Sequence, residues 1–140
     1  MLAAAVEWCC DPATDCCPFP VCCCFFFSTP GCDDACTKQN EDLLATNLYN
    51  KGPVSICVDA STWQSYQSGI LTSASGCGSA YDSLDHCVQL VGYGVESVSG
   101  KKFWSVRNSW NTNWGESGYI RLAYGANTCG VADEATQVTI

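Results

Sequence analysis

Short apolar runs separated by turn residues dominate the sequence after residue 53, and they restrict the chain to a mainly β fold. One helix is predicted before them, over residues 39–51, where Leu44 and Leu48 recur at helical spacing. Glu41 and Asp42 stand near the start of this helix, where its dipole favours acidic side chains. A single helix followed by many strands is typical of the α+β class.

The strand-like runs are bounded by glycine, proline and serine. Gly52-Pro53 ends the helix, a short helix or turn is predicted over residues 61–67, and a Gly/Ser-rich loop covers residues 72–83. Strands joined by turns in this way predict an antiparallel, barrel-like sheet. The predicted strands cover residues 54–58, 86–95, 102–108, 119–123 and 138–140.

Residues 1–31 have a different character, and we expect them to be irregular. They hold seven of the thirteen cysteines, between Cys9 and Cys24, followed by Phe25-Phe26-Phe27. Neither helical nor alternating periodicity persists, and four prolines interrupt the segment. We therefore place one folded domain at residues 32–140 and treat 1–31 as a separate segment.

Three interpretations of residues 1–31 remain open. The segment could be a disulfide-rich cap. It could be a thiolate metal cluster, although it contains no histidine and its thiols lie among bulky aromatics, so we predict no metal site. We favour a third interpretation, an unspliced intron or a misplaced start, since the codons of Cys, Phe, Pro and Ser are rich in pyrimidines.

Net charge and the pattern of apolar residues argue against several classes of partner and targeting segment. The net charge is −8 with only 6 Lys and Arg, which argues against nucleic acid and anionic membrane surfaces as partners. No apolar run is long enough to span a membrane. We expect no signal peptide, because the first residues lack basic side chains and Glu7 interrupts their apolar stretch.

Two motifs concentrate the residues capable of chemistry. Residues 84–94 read Leu-Asp-His-Cys-Val-Gln-Leu-Val-Gly-Tyr-Gly and contain His86, the only histidine of the chain. Residues 107–119 read Arg-Asn-Ser-Trp-Asn-Thr-Asn-Trp-Gly-Glu-Ser-Gly-Tyr and contain Asn108. Taken together in this order, the two motifs resemble the His and Asn blocks of the papain-like cysteine peptidases.

The resemblance extends from about residue 40 to residue 140. It includes Gly52-Pro53-Val54-Ser55 and the late run Cys129-Gly130-Val131-Ala132. It implies the C-terminal, right-hand domain of the papain fold, an antiparallel barrel-like domain with a short N-terminal helix. It also implies a lysosomal or extracellular location, protein or peptide substrates and no cofactor.

The resemblance assigns a role to each matching residue. His86 corresponds to the catalytic imidazole, and Asn108 to the amide that orients it. Trp110 corresponds to the indole that shields their hydrogen bond from water, and Trp114 supports the same wall of the cleft.

The nucleophilic cysteine of the family lies in a Cys-Gly-Ser-Cys-Trp-like motif, after a glutamine of the oxyanion hole. Neither motif occurs in the 140 residues. We therefore expect the His/Asn half of a cysteine endopeptidase, inactive by itself, whose partner is the missing left-hand half. The alternative is a non-catalytic remnant that binds peptides or proteins.

The family pattern also indicates a substrate pocket and disulfides. Cys57, Cys87 and Glu134 match the pocket for the second residue before the scissile bond, where a carboxylate permits arginine. Cys77 and Cys129 match a family disulfide, and we suggest a second bond between Cys57 and Cys87. Cys32 and Cys36 are expected to pair with each other or with the missing half.

Overall fold

A computed structural model describes residues 4–7 and 40–139 of the chain. These residues form one α-helix and seven strands, and the predicted α+β class is confirmed. Single turns of 3-10 helix cover residues 63–65, 73–75, 81–83 and 128–130. The helix and strands are β1 (Ala4–Glu7), α1 (Glu41–Lys51), β2 (Val54–Val58), β3 (Ile70–Leu71), β4 (His86–Val95), β5 (Lys102–Arg107), β6 (Tyr119–Ala123) and β7 (Glu134–Thr139).

The strands form a single sheet in the order β1-β7-β2-β4-β5-β6-β3. Neighbours are antiparallel except for β3, which runs parallel to β6, so the expectation of a purely antiparallel sheet is wrong at this edge. The exception arises because β3 is only two residues long and joins the sheet after a loop rather than through a hairpin. Within the described residues the two outer strands are not paired with each other, so barrel closure stays a prediction.

The bounds of α1 follow from its caps. The Asn40 side chain accepts a hydrogen bond from the Leu43 N–H at 2.9 Å, which satisfies one of the free donors of the first turn. Gly52 ends the helix with a φ of 94°, a conformation that favours glycine. The predicted helix over residues 39–51 is therefore correct in place and begins two residues early.

The core lies on one face of the sheet, where α1 contributes Leu44, Ala45 and Leu48. Alternation along β2 buries Val54, Ile56 and Val58 and turns the intervening side chains to the opposite face. The other strands add fully buried side chains to the same core: Leu90, Trp104, Val106, Ile120 and Leu122.

Two further expectations need correction. Residues 1–31 are not irregular throughout, since Ala4–Glu7 forms β1 and pairs with β7, whose open backbone groups it satisfies. The remainder of that segment lies outside the described residues. The last strand begins at Glu134 rather than at residue 138. The sequence does not reveal its first residues, because the side chains that they turn toward the core, Ala135 and Gln137, are only partly apolar.

Candidate active site

His86 is the first residue of β4, and the sheet fixes its backbone. It pairs with Val58 of β2, and the neighbouring Asp85 N–H donates to the Val58 carbonyl at 3.0 Å. The histidine is half-buried. Its side chain alternates in phase with the buried Val88 and Leu90, so its ring stands on the core side of the sheet, where β2 ends and β4 begins.

Asn108 directly follows β5, and its buried side chain reaches the imidazole. Its Oδ1 lies 2.9 Å from His86 Nε2 and also accepts the Ser109 N–H at 2.7 Å. The Ser109 N–H can only donate, so the atom facing it must be the amide oxygen rather than the NH₂ group. The Nε2 of His86 must then be the donor, which leaves Nδ1 as the proton-accepting nitrogen of the neutral ring.

The Asn108 amide also carries a buried donor without a partner in the described part of the chain. Its Nδ2 has no hydrogen-bond acceptor there. An unsatisfied buried N–H costs about 1–3 kcal/mol. The amide thus keeps an orientation that serves His86 and Ser109 at the expense of its own NH₂ group.

Two predicted tryptophans surround the imidazole. Trp110 stacks on His86 with ring centroids 5.1 Å apart and 27° between the planes. Trp114 meets Trp110 edge to face at 5.2 Å. Trp110 therefore lies against the imidazole, and Trp114 lies behind Trp110; their role in keeping water from the His86–Asn108 pair stays a prediction.

A third tryptophan, Trp63, also contacts the imidazole, although the sequence motifs assign it no role. It is fully buried, contacts His86 edge to face at 6.4 Å and stacks on Trp114 at 6.2 Å. Its carbonyl accepts the Trp114 indole N–H at 3.2 Å. No local signal reveals this contact, since Trp63 sits in a single 3-10 turn far from His86 in sequence.

An ion-paired network fixes the loop that carries Trp110 and Trp114. Glu116 accepts two bonds from Arg121 Nε and one from Nη2, and it also accepts the Gly69 N–H at 2.9 Å. The hydrogen bonds from Arg121 hold the pKa of the Glu116 carboxyl below its usual value, against the opposing effect of burial. The charged form of Glu116 therefore holds the loop between β5 and β6 against β6 and the chain before β3.

The three predicted pocket residues lie side by side across the sheet. Cys57 of β2 is opposite Cys87 of β4 on one side and opposite Glu134 of β7 on the other. The two cysteines form a disulfide with a Cα–Cα distance of 4.0 Å. This row of Glu134, Cys57 and Cys87 lies on the face of the sheet away from the core. Cys87 is the residue that follows His86 in β4.

The Cys77–Cys129 disulfide lies elsewhere and is buried. It joins two loops whose cysteines are 52 residues apart in sequence. Asp59 fixes one of these loops by accepting the N–H groups of Ser61 and Gly78. Burial works to raise the pKa of the Asp59 carboxyl, but hydrogen bonds from Ser61 and Gly78 outweigh it and lower that pKa.

Three further predictions concern the N-terminal cysteines, metal binding and membrane crossing. Cys32 and Cys36 lie outside the described residues, as do the other N-terminal cysteines. Within residues 4–7 and 40–139 no cluster of three His, Cys, Asp or Glu side chains could hold a metal ion. The one helix of this part of the chain is too short to cross a bilayer.

Comparison with protein families extends these observations. The family described as papain family cysteine protease matches residues 23–139. The match begins inside the segment that we expect to lie outside the domain, and the boundary at residue 32 stays a prediction.

Individual relatives agree with the family match. Digestive cysteine proteinase 1 of Homarus americanus is 45% identical over 106 residues, which cover 74% of this chain and 31% of that protein. The viral cathepsin of Adoxophyes honmai nucleopolyhedrovirus is 38% identical over 103 residues, covering 73% and 28%. The chain thus spans less than a third of the length of these two curated relatives.

Solved structures are similar in fold. The bromelain protease from Ananas comosus, in complex with the E64 inhibitor, matches with a TM-score of 0.63 and 39% identity, over 72% of this chain and 46% of that one. Digestive procathepsin L 3 of Tenebrio molitor larval midgut matches with a TM-score of 0.65 and 35% identity, over 72% and 32%.

Proposed function

The chain belongs to the papain family of cysteine proteases, and on this premise we propose that residues 40–139 supply the acid–base half of a cysteine endopeptidase. The observation that carries the proposal is the hydrogen bond from His86 Nε2 to Asn108 Oδ1, with the indole of Trp110 stacked on the His86 ring. This arrangement orients an imidazole and leaves its second nitrogen available for proton transfer.

The chemistry requires a thiol from another part of a papain-like protein. A free cysteine thiol has a pKa of about 8.5, so it is mostly protonated at neutral pH. His86 Nδ1 would take that proton, creating a thiolate–imidazolium pair, and would later return it to the leaving amine of the peptide. Asn108 would keep the ring in the required tautomer during both transfers, and Trp110 would exclude water that competes for its carbonyl.

We propose that the 140-residue chain alone has no peptidase activity, because no Gly-Ser-Cys-Trp run occurs in it. Removing a nucleophile from a catalytic unit typically lowers kcat by about six orders of magnitude. The test is an assay of the purified chain with a dipeptidyl fluorogenic substrate. Turnover that a thiol-directed inhibitor blocks would contradict the proposal.

The acid–base role can be tested in a chimera. Residues 40–139 would replace the matching part of the Homarus americanus proteinase, so that the relative provides the left-hand half and the nucleophile. We expect the chimera to cleave peptides, His86→Ala to abolish cleavage, and Asn108→Ala to lower kcat by about a hundredfold or more. Gln89→Ala, an exposed change on the same strand, is the matched control. A folded chimera whose activity survives His86→Ala would overturn the assignment.

We further propose that Cys57, Cys87 and Glu134 line the pocket for the second residue before the scissile bond. The three residues are adjacent in register, so a substrate side chain resting on the disulfide would stand next to the Glu134 carboxylate. Arginine should therefore be accepted there beside apolar residues. In the active chimera, Glu134→Ala should lower kcat/KM for an arginine substrate and leave that for a phenylalanine substrate nearly unchanged. An equal effect on both would contradict the role of Glu134.

The missing nucleophile motif favours a second candidate, a non-catalytic protein that binds peptides or a separately made left-hand half. A folded but inactive chimera, together with saturable binding of peptides to the isolated chain, would support this candidate. The two disulfides and the family support an extracellular or lysosomal location for either function.

A further inference from the structure

The two disulfides of the described chain differ in their accessibility. Cys77 and Cys129 retain only 8% and 1% of their exposure, whereas Cys57 is half-buried and Cys87 is exposed. Thiol–disulfide exchange requires a thiolate to reach a sulfur atom, so burial protects a disulfide from exchange. We propose that Cys57–Cys87 is a site of thiol exchange at which a small external thiol becomes attached to Cys87.

Cys87 is the sulfur that an incoming thiolate reaches more easily. Exchange proceeds in line with the breaking bond, so the attacking thiolate arrives from the side opposite the leaving sulfur. For Cys57 that side is β7, where the Glu134 side chain stands on the same face and repels an anion. For Cys87 that side is β5. Arg107 of β5 is opposite Gln89, which lies two residues after Cys87 on β4, so the Arg107 side chain stands diagonally from Cys87 on the same face and attracts an anion.

The reaction balances with glutathione as the external thiol. The glutathione thiolate forms a bond to Cys87 Sγ, the Sγ–Sγ bond breaks, and the electron pair leaves with Cys57 Sγ, which takes a proton from water. A second glutathione thiolate attacks the sulfur of the first at the mixed disulfide. This step releases the Cys87 thiol and oxidised glutathione, so two glutathione thiols are oxidised for one protein disulfide reduced.

The position of the disulfide gives the exchange a local consequence. Five consecutive residue pairs join β2 and β4, from Val54 opposite Leu90 to Val58 opposite His86, and the disulfide connects the fourth of them. The backbone ladder joins the same two strands without the bond, so we expect the fold to persist after exchange. The covalent clamp next to His86 is lost, and a glutathione group then stands on the face that holds Glu134. Exchange itself does not require peptidase activity.

The test is a timed reaction of the folded, oxidised 140-residue chain with glutathione. After acid quenching, light and heavy maleimide labels applied before and after full reduction give the oxidation state of each cysteine by peptide mass mapping. We expect Cys57 and Cys87 to lose their mutual bond at least about tenfold faster than Cys77 and Cys129, with glutathione mainly on Cys87. Equal rates for the two disulfides, or adducts mainly on Cys57, would overturn the proposal.

Two variants test the charges that direct the attack. Glu134→Gln should raise the share of adduct on Cys57, and Arg107→Gln should slow adduct formation on Cys87. Asp82→Asn, an exposed charge change outside this face, is the control and should leave both unchanged. If neither variant shifts the adduct distribution, the charge argument for Cys87 is wrong. The imidazole signals of His86 should move on exchange in the same sample, while unchanged signals would refute the loss of the clamp.

Discussion

Three aromatic or amide contacts hold the ring of His86, and each restricts a different movement. The bond from Nε2 to Asn108 fixes rotation of the ring within its plane, and stacking on Trp110 fixes the plane itself. Trp63 meets the ring edge to face and limits its translation toward the core. The proposed role of His86 as a general base requires one tautomer and one direction, so we expect the contact from Trp63 to serve that role together with the other two.

Trp63→Phe should loosen the imidazole with a small effect on stability. The smaller ring leaves a cavity, but the substitution also removes the Trp63 indole N–H, which is buried without a partner among the described residues. These effects oppose each other, so we expect a loss of less than about 2 kcal/mol in unfolding free energy. In the ¹⁵N–¹H spectrum of the single imidazole, the population of the Nε2–H tautomer should fall.

Tyr93→Phe changes a half-exposed ring far from this contact and serves as the control. An imidazole spectrum in Trp63→Phe that matches the control would show that Trp63 only fills the core.

The helix α1 is attached to the sheet by a carboxylate as well as by its apolar side chains. Glu41 is buried and accepts the indole N–H of Trp104 at 2.5 Å and the backbone N–H groups of Gly125 and Asn127 at 2.9 and 2.6 Å. A carboxylate with three donors has its charge satisfied inside the protein. The first turn of α1 therefore fixes the loop between β6 and β7. Glu134 is the first residue of β7 after this loop.

Glu41→Gln should destabilise the protein by about 3 kcal/mol, because an amide presents one oxygen and an unwanted NH₂ group to these donors. Urea unfolding measures the loss. Thr46→Ala, an exposed change on the same helix, should alter the unfolding free energy by less than about 0.5 kcal/mol. Equal midpoints for the two variants would contradict the structural role of Glu41.

Asp59 links the end of β2 to the loop of Cys77, and its lowered pKa makes this link dependent on pH. A carboxyl whose pKa is lower in the folded state than in the unfolded state stabilises the fold at pH values above its unfolded pKa of about 3.9. That stabilisation is lost as the pH falls through the folded pKa. The difference in unfolding free energy between the parent and Asp59→Asn should therefore be largest near neutral pH and shrink below about pH 4.

Urea unfolding at several pH values tests this expectation, with Asp82→Asn as the control for an exposed carboxylate. A difference between the parent and Asp59→Asn that stays constant down to pH 3 would refute it.

Periodic and capped elements could be predicted from the sequence, whereas contacts between distant elements could not. The strand β2 is correct to the residue because the β-branched Val54, Ile56 and Val58 alternate along a short run that begins directly after Gly52-Pro53. The strand β3 was missed because two residues carry no periodicity, and Trp63 was missed because its contact with His86 depends on the tertiary fold. The pairing of His86 with Asn108 came from the resemblance of two motifs to a family, not from periodicity.

At the scale of the whole molecule, the two disulfides make different kinds of connection. Cys57–Cys87 joins strands that already pair through their backbones, and its two cysteines have a sequence separation of 30 residues. Cys77–Cys129 joins the loop before β4 to the 3-10 turn before β7, with a separation of 52 residues, and no strand pairing within the described residues duplicates it. The loop-entropy model assigns about 3.6 and 4.1 kcal/mol to these separations. This difference is too small to rank the contributions of the two bonds to stability. The ranking therefore depends on how deeply each bond is buried.

Replacing both cysteines of each bond by alanine should therefore give unequal losses of stability. Cys77→Ala with Cys129→Ala removes two buried sulfurs from the core and leaves a cavity, in addition to releasing the loop. Cys57→Ala with Cys87→Ala releases a loop but leaves the β2–β4 ladder intact and creates no comparable cavity. We expect the first pair to lower the unfolding free energy by at least about 1 kcal/mol more than the second, as measured by urea unfolding without reductant. If the Cys57 and Cys87 pair proves equally or more costly, the cross-strand bond supports the fold itself, and exchange at Cys87 would unfold the domain instead of altering one face of it.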